Sequence, residues 1–489
     1  MERSTPPLGV GIAGGPGAAG PHQRSEDAAR LARYAQARRF YDGDQWERKR
    51  RPGERRVVVN YARTMVRKVV SYVFGAPVSF VVPQDDGARA QAVEKALAAL
   101  LAELGADELD FALGVESAKI GDAALKVTWD PDARRPRLTA ADAATLSARW
   151  SPADPKTATR KRPEYLLPGW AIARHWPRVG SDLSQDGAYP VVEEWEPDRW
   201  RVTVAAERVA VDQANPYGWI PYVVIPNNPD PLSFWGRSDL EDLYDVCRSL
   251  NQRLSVLDQI LDMSGMPVAV IENVDAGGES LQMRPGAKWE LPENAKAYLL
   301  DLLAGGGVGL HIDAIEELRR ALHDLAETPR TAFGDSGREL SGVALEVEIQ
   351  PLTQKVRRKR RVMERAYRER NARLLDLMER FGGQSFGGLR RTEPVWPPIL
   401  PSDDETQARM ETALVAAGVR ARRTAMAELG VEDPEAEWLR VLEERAGEAA
   451  IAAAHEDDDD ADDEDADDDD EAADRSQRDT ADRAAQRDA

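Results

Sequence analysis

Between Ser238 and Ser264 the apolar residues Leu240, Leu243, Cys247, Leu250, Leu254, Leu257 and Leu261 recur at alternating spacings of three and four. That is the period of a helix with one narrow apolar seam. Ser238 and Glu241 form a capping box at its start, Gly265 and Pro267 stop it, and at 1.5 Å per residue it runs about 40 Å. A second seam of Ile315, Leu318, Leu322 and Leu325 follows the start signal of Asp313 and Glu316 and ends before Pro329. Between the two, residues 267–311 read as strands, PVAVIENV and AKWELP, then an apolar AYLLDLL and a flexible GGGVG. The combination predicts an antiparallel helix pair with a small β module at its far end. A much longer helical pattern runs from Val343 to about Phe381, with Leu345, Ile349, Leu352, Val356, Met363, Tyr367, Leu374 and Met378 as its apolar positions. Pro351 lies inside it and predicts a kink or break near Glu348, because proline removes a backbone donor.

The segments before this trio are mixed. Helical patterns cover residues 25–41, 60–74 (Asn60 as N-cap, Gly75 at the end), 88–104 and 108–120. PVSFVV after Pro77 is extended, and ALKVTW after Gly121 is a strand. Residues 129–235 break into short extended runs that hold 8 of the 12 tryptophans. Core packing is the preferred reading of those indoles over a base-stacking surface. After an extended VWPPILP, helical runs fill 403–448. Helices and strands thus lie in blocks, the signature of an α+β chain.

Composition sharpens this outline. The 489 residues suffice for about three domains at ~150 residues each. The net charge of -21 is concentrated at one end: residues 455–489 hold 18 acidic and 4 basic residues, a net of -14, which leaves -7 for the remaining 454. With 14 acidic residues in 456–471, that tail cannot fold alone. The Gly/Pro-rich residues 1–24 read as a disordered arm, and the GxGxxG match at Gly9, Gly11 and Gly14 lacks the strand and helix that dinucleotide binding needs. One cysteine, five scattered histidines, no apolar run of 18 residues and no N-terminal signal pattern point to a soluble protein of a reducing cytoplasm, without cofactor or metal.

Three features carry candidate chemistry. Gly334, Asp335, Ser336 and Gly337 spell the GDSG of chymotrypsin-like serine proteases, which makes Ser336 a remote candidate nucleophile. The segment bridges two helices and continues with Arg338 and Glu339, so a polar loop is the better reading. The run KVRRKRRVMERAYRERNAR at 355–373 holds ten basic and two acidic residues. Lys355, Arg357, Arg358, Lys359, Arg360 and Arg361 are its candidates for contact with nucleic-acid phosphates, against a solvated helix paired with acidic neighbours. No GxxxxGK[ST] phosphate loop occurs, so any motor driving DNA would be another chain.

Over residues 25–450 the order of parts resembles the portal proteins of tailed double-stranded DNA bacteriophages. The matching stretches are FYDGDQW, VNYARTMVRKVVSYVFGAPVSF, GDAALKVTWD, IPYVVIPNN, WGRSDLEDLYDVCRSLNQRLSVLDQILDMSGMP, SGVAL and WPPILPSDDETQ. The resemblance implies a portal fold: an α/β wing at 25–235 and 327–400, a stem of two helices at 236–264 and 312–326, and a small β-containing clip at 265–311. A long kinked helix with its kink at Pro351, a helical crown at 401–450 and a disordered acidic tail at 451–489 complete it. It implies a homo-oligomeric ring, usually of twelve copies, at one capsid vertex of the virion, assembled in the host cytoplasm. Double-stranded DNA would pass through the ring, and the terminase large subunit, a head completion or adaptor protein, the major capsid protein and possibly a scaffold protein would be its partners. Residues 330–342 would occupy the slot of the tunnel loop, with Phe333, Asp335, Ser336, Arg338 and Glu339 facing the channel. The tail would be an electrostatic bumper or a scaffold dock, set against a solubilising extension. A DNA-binding or chaperone-like protein using the basic helix and the tail is the alternative function.

Overall fold

The structure, a computed structural model, describes residues 21–83, 87–151, 154–205, 208–265, 268–273, 294–300, 307–335, 342–400, 404–431 and 433–448. The N-terminal arm up to residue 20, the strand expected at AKWELP, the loop positions Ser336, Arg338 and Glu339 and the acidic tail lie outside the described residues. The chain divides into two compact units, Met1–Ile399 and Leu400–Ala489.

The first unit opens with helices Pro21–Tyr41, Tyr61–Val73, Ala88–Glu103 and Ala106–Ile120. Asn60 caps the second as expected, its side chain accepting from the Arg63 amide at 3.2 Å. The fourth ends on Gly121 at φ +109°, a left-handed residue whose N–H returns to the Ser117 carbonyl at 2.8 Å. All described strand pairs are antiparallel. Arg135–Ala141, Asp122–Asp130 and Tyr222–Pro226 form a three-stranded sheet in that order. Leu146–Ser151, Asp154–Pro168, Ala188–Trp195, Arg199–Val204 and Arg208–Ala214 form a five-stranded meander, and Ser79–Val81 pairs with Glu393–Val395. Helices and antiparallel sheets in separate blocks are the α+β arrangement expected.

The main core lies where helices Ala88–Glu103 and Ala106–Ile120, the three-stranded sheet and the long helix Gly342–Arg380 meet. Met363, Tyr367, Leu374 and Met378 of the long helix point into it, as their spacing predicts, whereas Leu345 near its start is exposed. The helix runs unbroken through Pro351, so of the expected kink or break the break does not occur. Pro351 is itself exposed, where water can reach the carbonyl that its missing N–H leaves free. The indoles are largely core, as preferred: Trp195 stacks on Trp200 and Tyr217 at centroid distances of 4.8 and 6.1 Å, and Tyr217 on Trp219 at 4.9 Å. The second unit contains helices Asp404–Ala416 and Arg422–Glu428 and a helix at 434–448.

Candidate functional site: the helix pair and the basic helix

The seamed patterns form helices Tyr244–Gly265 and Gly307–Ala326, joined through an antiparallel strand pair in which Val268–Glu272 faces Lys296–Leu300. Both helix starts differ from expectation. The first begins six residues after Ser238, preceded by a 3₁₀ turn at Glu241–Leu243. Ser238 accepts from the Leu240 amide at 3.0 Å and donates to the Lys119 carbonyl at 2.6 Å, which ties it to another helix instead of to a capping box. The second begins at Gly307, five residues before Ile312, because its first turn forms from residues read as a glycine loop.

The seam is mostly buried at the root of the pair and emerges along it, but Leu325, expected on the second seam, is 48% exposed. Leu240, Leu243, Cys247 and Leu250 are buried with Ile315 and Leu322, while Leu254, Leu257 and Leu318 are partly covered. Leu261, Leu310 and Ile312 are 53%, 72% and 48% exposed. Burial pushes the Cys247 thiol up to about 12, which suits a packing residue and not a nucleophile. A basic strap at 47–59, missed in the sequence, lies along the first helix. The Val57 and Val59 amides donate to Ser255 Oγ and Asn251 Oδ1 at 2.9 Å each, and Arg55 pairs with Asp262. Its signal was the charge run ERKRRPGERR, whose partner helix is some 200 residues away.

The root is fixed by close backbone approach. A Cβ on Gly236 would meet the Asn227 carbonyl oxygen at 2.1 Å and the Gly121 oxygen at 2.5 Å, so only glycine fits. Around it Asn227 N–H donates to Gly121 O (2.8 Å), Arg237 N–H to Asn227 O (2.7 Å) and Asp239 N–H to Ala118 O (2.9 Å). Gly236 N–H donates to the buried Asp122 at 2.9 Å, and the Tyr34 hydroxyl donates to the other Asp122 oxygen. Burial outweighs those bonds and raises the Asp122 carboxyl to about 7.

The basic helix turns much of its charge inward to this root. Lys359 Nζ meets Asp239 Oδ2 and Asn227 Oδ1, both at 2.6 Å, while Lys355 donates to the Ala326 carbonyl at 2.9 Å and stands 4.0 Å from Asp239. Burial alone would raise the Asp239 carboxyl, but Lys359 and Lys355 outweigh it and hold it well below the usual carboxylate range. Arg360 donates to the carbonyls of Pro397 and Val73 and lies 4.9 Å from the Trp396 ring centroid. Deeper along the helix Arg370 Nη1 alone donates to both Asp110 carboxylate oxygens, at 2.9 and 2.8 Å. The expectation that Lys355, Lys359 and Arg360 contact phosphates is therefore corrected: each is buried or nearly so and engaged within the unit. Arg357, Arg358 and Arg361 are exposed, and Arg358 meets Glu327 at 2.5 Å.

Phe333 closes a 3₁₀ turn, Arg330–Phe333, packs partly buried against the root cluster and meets the His323 ring edge-on at 5.4 Å, which anchors this end of the loop. Asp335 is exposed and accepts from Arg330 Nε at 3.0 Å. Among the upstream histidines, His323 is buried with Nδ1 2.6 Å from the Thr328 carbonyl, a packed setting and not that of a general base.

This order of parts is matched by the family model of SPP1 Gp6-like phage portal proteins over residues 22–450. The chain belongs to that family. No curated protein matches it. Portal proteins are structural, non-enzymatic phage proteins, so the GDSG segment lies in a family that performs no catalysis. As in other phage portal proteins, the expected place is the capsid vertex of the virion, and no helix among the described residues is long and apolar enough to cross a membrane.

Proposed function

We propose that this portal protein assembles as a ring, of twelve copies on the family's usual pattern, whose bore conducts double-stranded DNA into and out of the capsid. The helix pair is the stem, the strand pair the core of the clip, the rest of the first unit the wing and the second unit the crown. The terminase large subunit docks at the clip during packaging and a head completion or adaptor protein replaces it, while major capsid and scaffold proteins meet the wing. Twelvefold repetition makes weak contacts collectively strong. The observation that carries this reading is the family match together with a helix pair whose root is packed and which exposes the large apolar side chains Leu261, Leu310 and Ile312 farther along. A neighbouring copy would cover such residues.

In this reading Asp335, Ser336, Arg338 and Glu339 remain the channel-facing candidates, and Arg357, Arg358 and Arg361 the phosphate contacts. A sparse set suits a channel through which DNA slides, since each neutralised phosphate adds affinity and friction. The burial of Lys355, Lys359 and Arg360 counts against the DNA-binding chaperone alternative, which needed the whole run. Negative-stain microscopy of the purified chain tests the proposal: rings with a central hole support it, and a monomer that persists under assembly conditions overturns it.

A further inference from the structure

Between the five-stranded sheet and the long helix lies a cavity of about 320 Å³ lined by four cations and one carboxylate: Lys156, Lys161, Arg365, Arg373 and Glu369. Arg365, Glu369 and Arg373 stand at spacings of four on one face of the helix, and Lys161 comes from the strand Asp154–Pro168. The four cations against one carboxylate leave a formal excess of three positive charges. Three of the cations donate to neutral carbonyls: Lys156 to Asp230 at 2.7 Å, Lys161 to Tyr222 at 2.6 Å and Arg365 to Lys156 at 2.6 Å. Of the four only Arg373 hydrogen-bonds to Glu369, through Nη2, and its buried Nη1 has no hydrogen-bond partner among the described residues.

Lys161 is 5% exposed and, among the described residues, forms no ion pair; Glu369 acts on its ammonium only at longer range. A buried, unpaired ammonium costs several kcal/mol, on the order of what removing one partner of a buried ion pair costs. Burial accordingly pushes Lys161 down to about 8, so it still carries its proton at neutral pH. A buried ammonium without a direct ion pair and a buried guanidinium nitrogen with donors to spare, on one cavity, offer the charge and the N–H groups that an oxyanion accepts from.

We propose that this cavity is an oxyanion site, in which Lys161 and Arg373 grip a phosphate or carboxylate group and Arg365 guards the mouth. Trp219, 5.1 Å from the Arg373 guanidinium, forms its apolar wall. The site lies wholly within the first unit, and only its second-copy source rests on the ring of the proposed function. The oxyanion comes either from free phosphate or from an acidic side chain of a second copy.

The test is titration of the full chain with inorganic phosphate at constant ionic strength, followed by calorimetry and by melting temperature. The expected result is saturable binding of one phosphate per chain, with a melting temperature that climbs with the logarithm of phosphate concentration. Binding should be lost in Lys161→Met and weakened several-fold in Arg365→Ala, an exposed residue whose loss leaves the fold intact. If dilute chain binds phosphate and assembled chain does not, a second copy supplies the oxyanion; if both bind, the anion is free. Absence of saturable binding, or an equal rise in Lys161→Met, which would be the general effect of an excluded salt, overturns the proposal.

Discussion

At the scale of single residues, charges that look alike in the sequence have opposite duties. Lys359 faces buried Asp239 at 2.6 Å, while Arg357 and Arg361, two residues to either side and so about half a turn away, are exposed. Lys359→Met should therefore destabilise the chain by about 3–5 kcal/mol, because it strands a buried carboxylate whose remaining partner, Lys355, is more distant. The double change Arg357→Ala and Arg361→Ala should cost under about 0.5 kcal/mol. Urea unfolding of both variants checks the contrast, and equal losses would contradict the placement. Asp122 gives a pH signature. Its folded value near 7 lies above the ~3.9 of an unfolded aspartate, so folding takes up a proton between those values. Below pH ~4 the carboxyl is protonated in both states and its ionisation costs nothing; as pH rises to 7 only the unfolded form ionises freely, and stability falls. Asp122→Asn lacks that titration but loses one of the bonds from Tyr34 and Gly236. The variant should be the less stable near pH 4, and its deficit should shrink as the pH approaches 8. A deficit that is flat with pH would remove Asp122 as the titrating group.

At the scale of elements, burial along the helix pair decides where stability resides. Leu250 is 1% exposed in the root cluster, and Leu250→Ala should cost about 2–5 kcal/mol through lost transfer energy and the cavity left behind. Thermal melts of this variant against Leu261→Ala, which is half-exposed, should show the first loss several times the second. The pair itself was legible because a 3.6-residue period over seven positions from Leu240 to Leu261 admits no strand, and Asn60 announced its own cap. The helix starts were not legible. Ser238 leaves its capping role because the Lys119 carbonyl stands beside it, a contact across 119 residues that no local pattern encodes. The face of the basic helix was hidden for the same reason, since Arg370 finds Asp110 across 260 residues and Lys359 finds Asn227 across 132. Density of charge was plain in the sequence; its direction depends on tertiary partners. Phe333 was placed by its slot between two helices, which says where the loop is but not that its aromatic ring is its anchor.

At the scale of the whole molecule, the unsatisfied surface of one copy states what assembly has to do. Leu261, Leu310 and Ile312 are large apolar side chains on the two helices of the pair, exposed beyond the root and of no use to the isolated chain. Each is about half to three-quarters exposed and so forgoes roughly 1–2 kcal/mol of burial, which a ring would recover at every interface. Changing all three to serine should accordingly leave the melting temperature of the dilute chain within a few degrees of wild type. The same change should shift the assembly equilibrium toward monomer by at least tenfold, a factor that corresponds to about 1.4 kcal/mol per interface. Sedimentation velocity across a concentration series measures both species in one experiment. A neighbour that packs on these helices predicts that the ring boundary disappears first in the triple variant while the monomer keeps its fold. If rings persist at wild-type concentrations, the copies meet through the wing instead, and the exposed seam faces another partner. If the monomer itself unfolds, the three residues belong to the root cluster and their exposure in one copy has been misread.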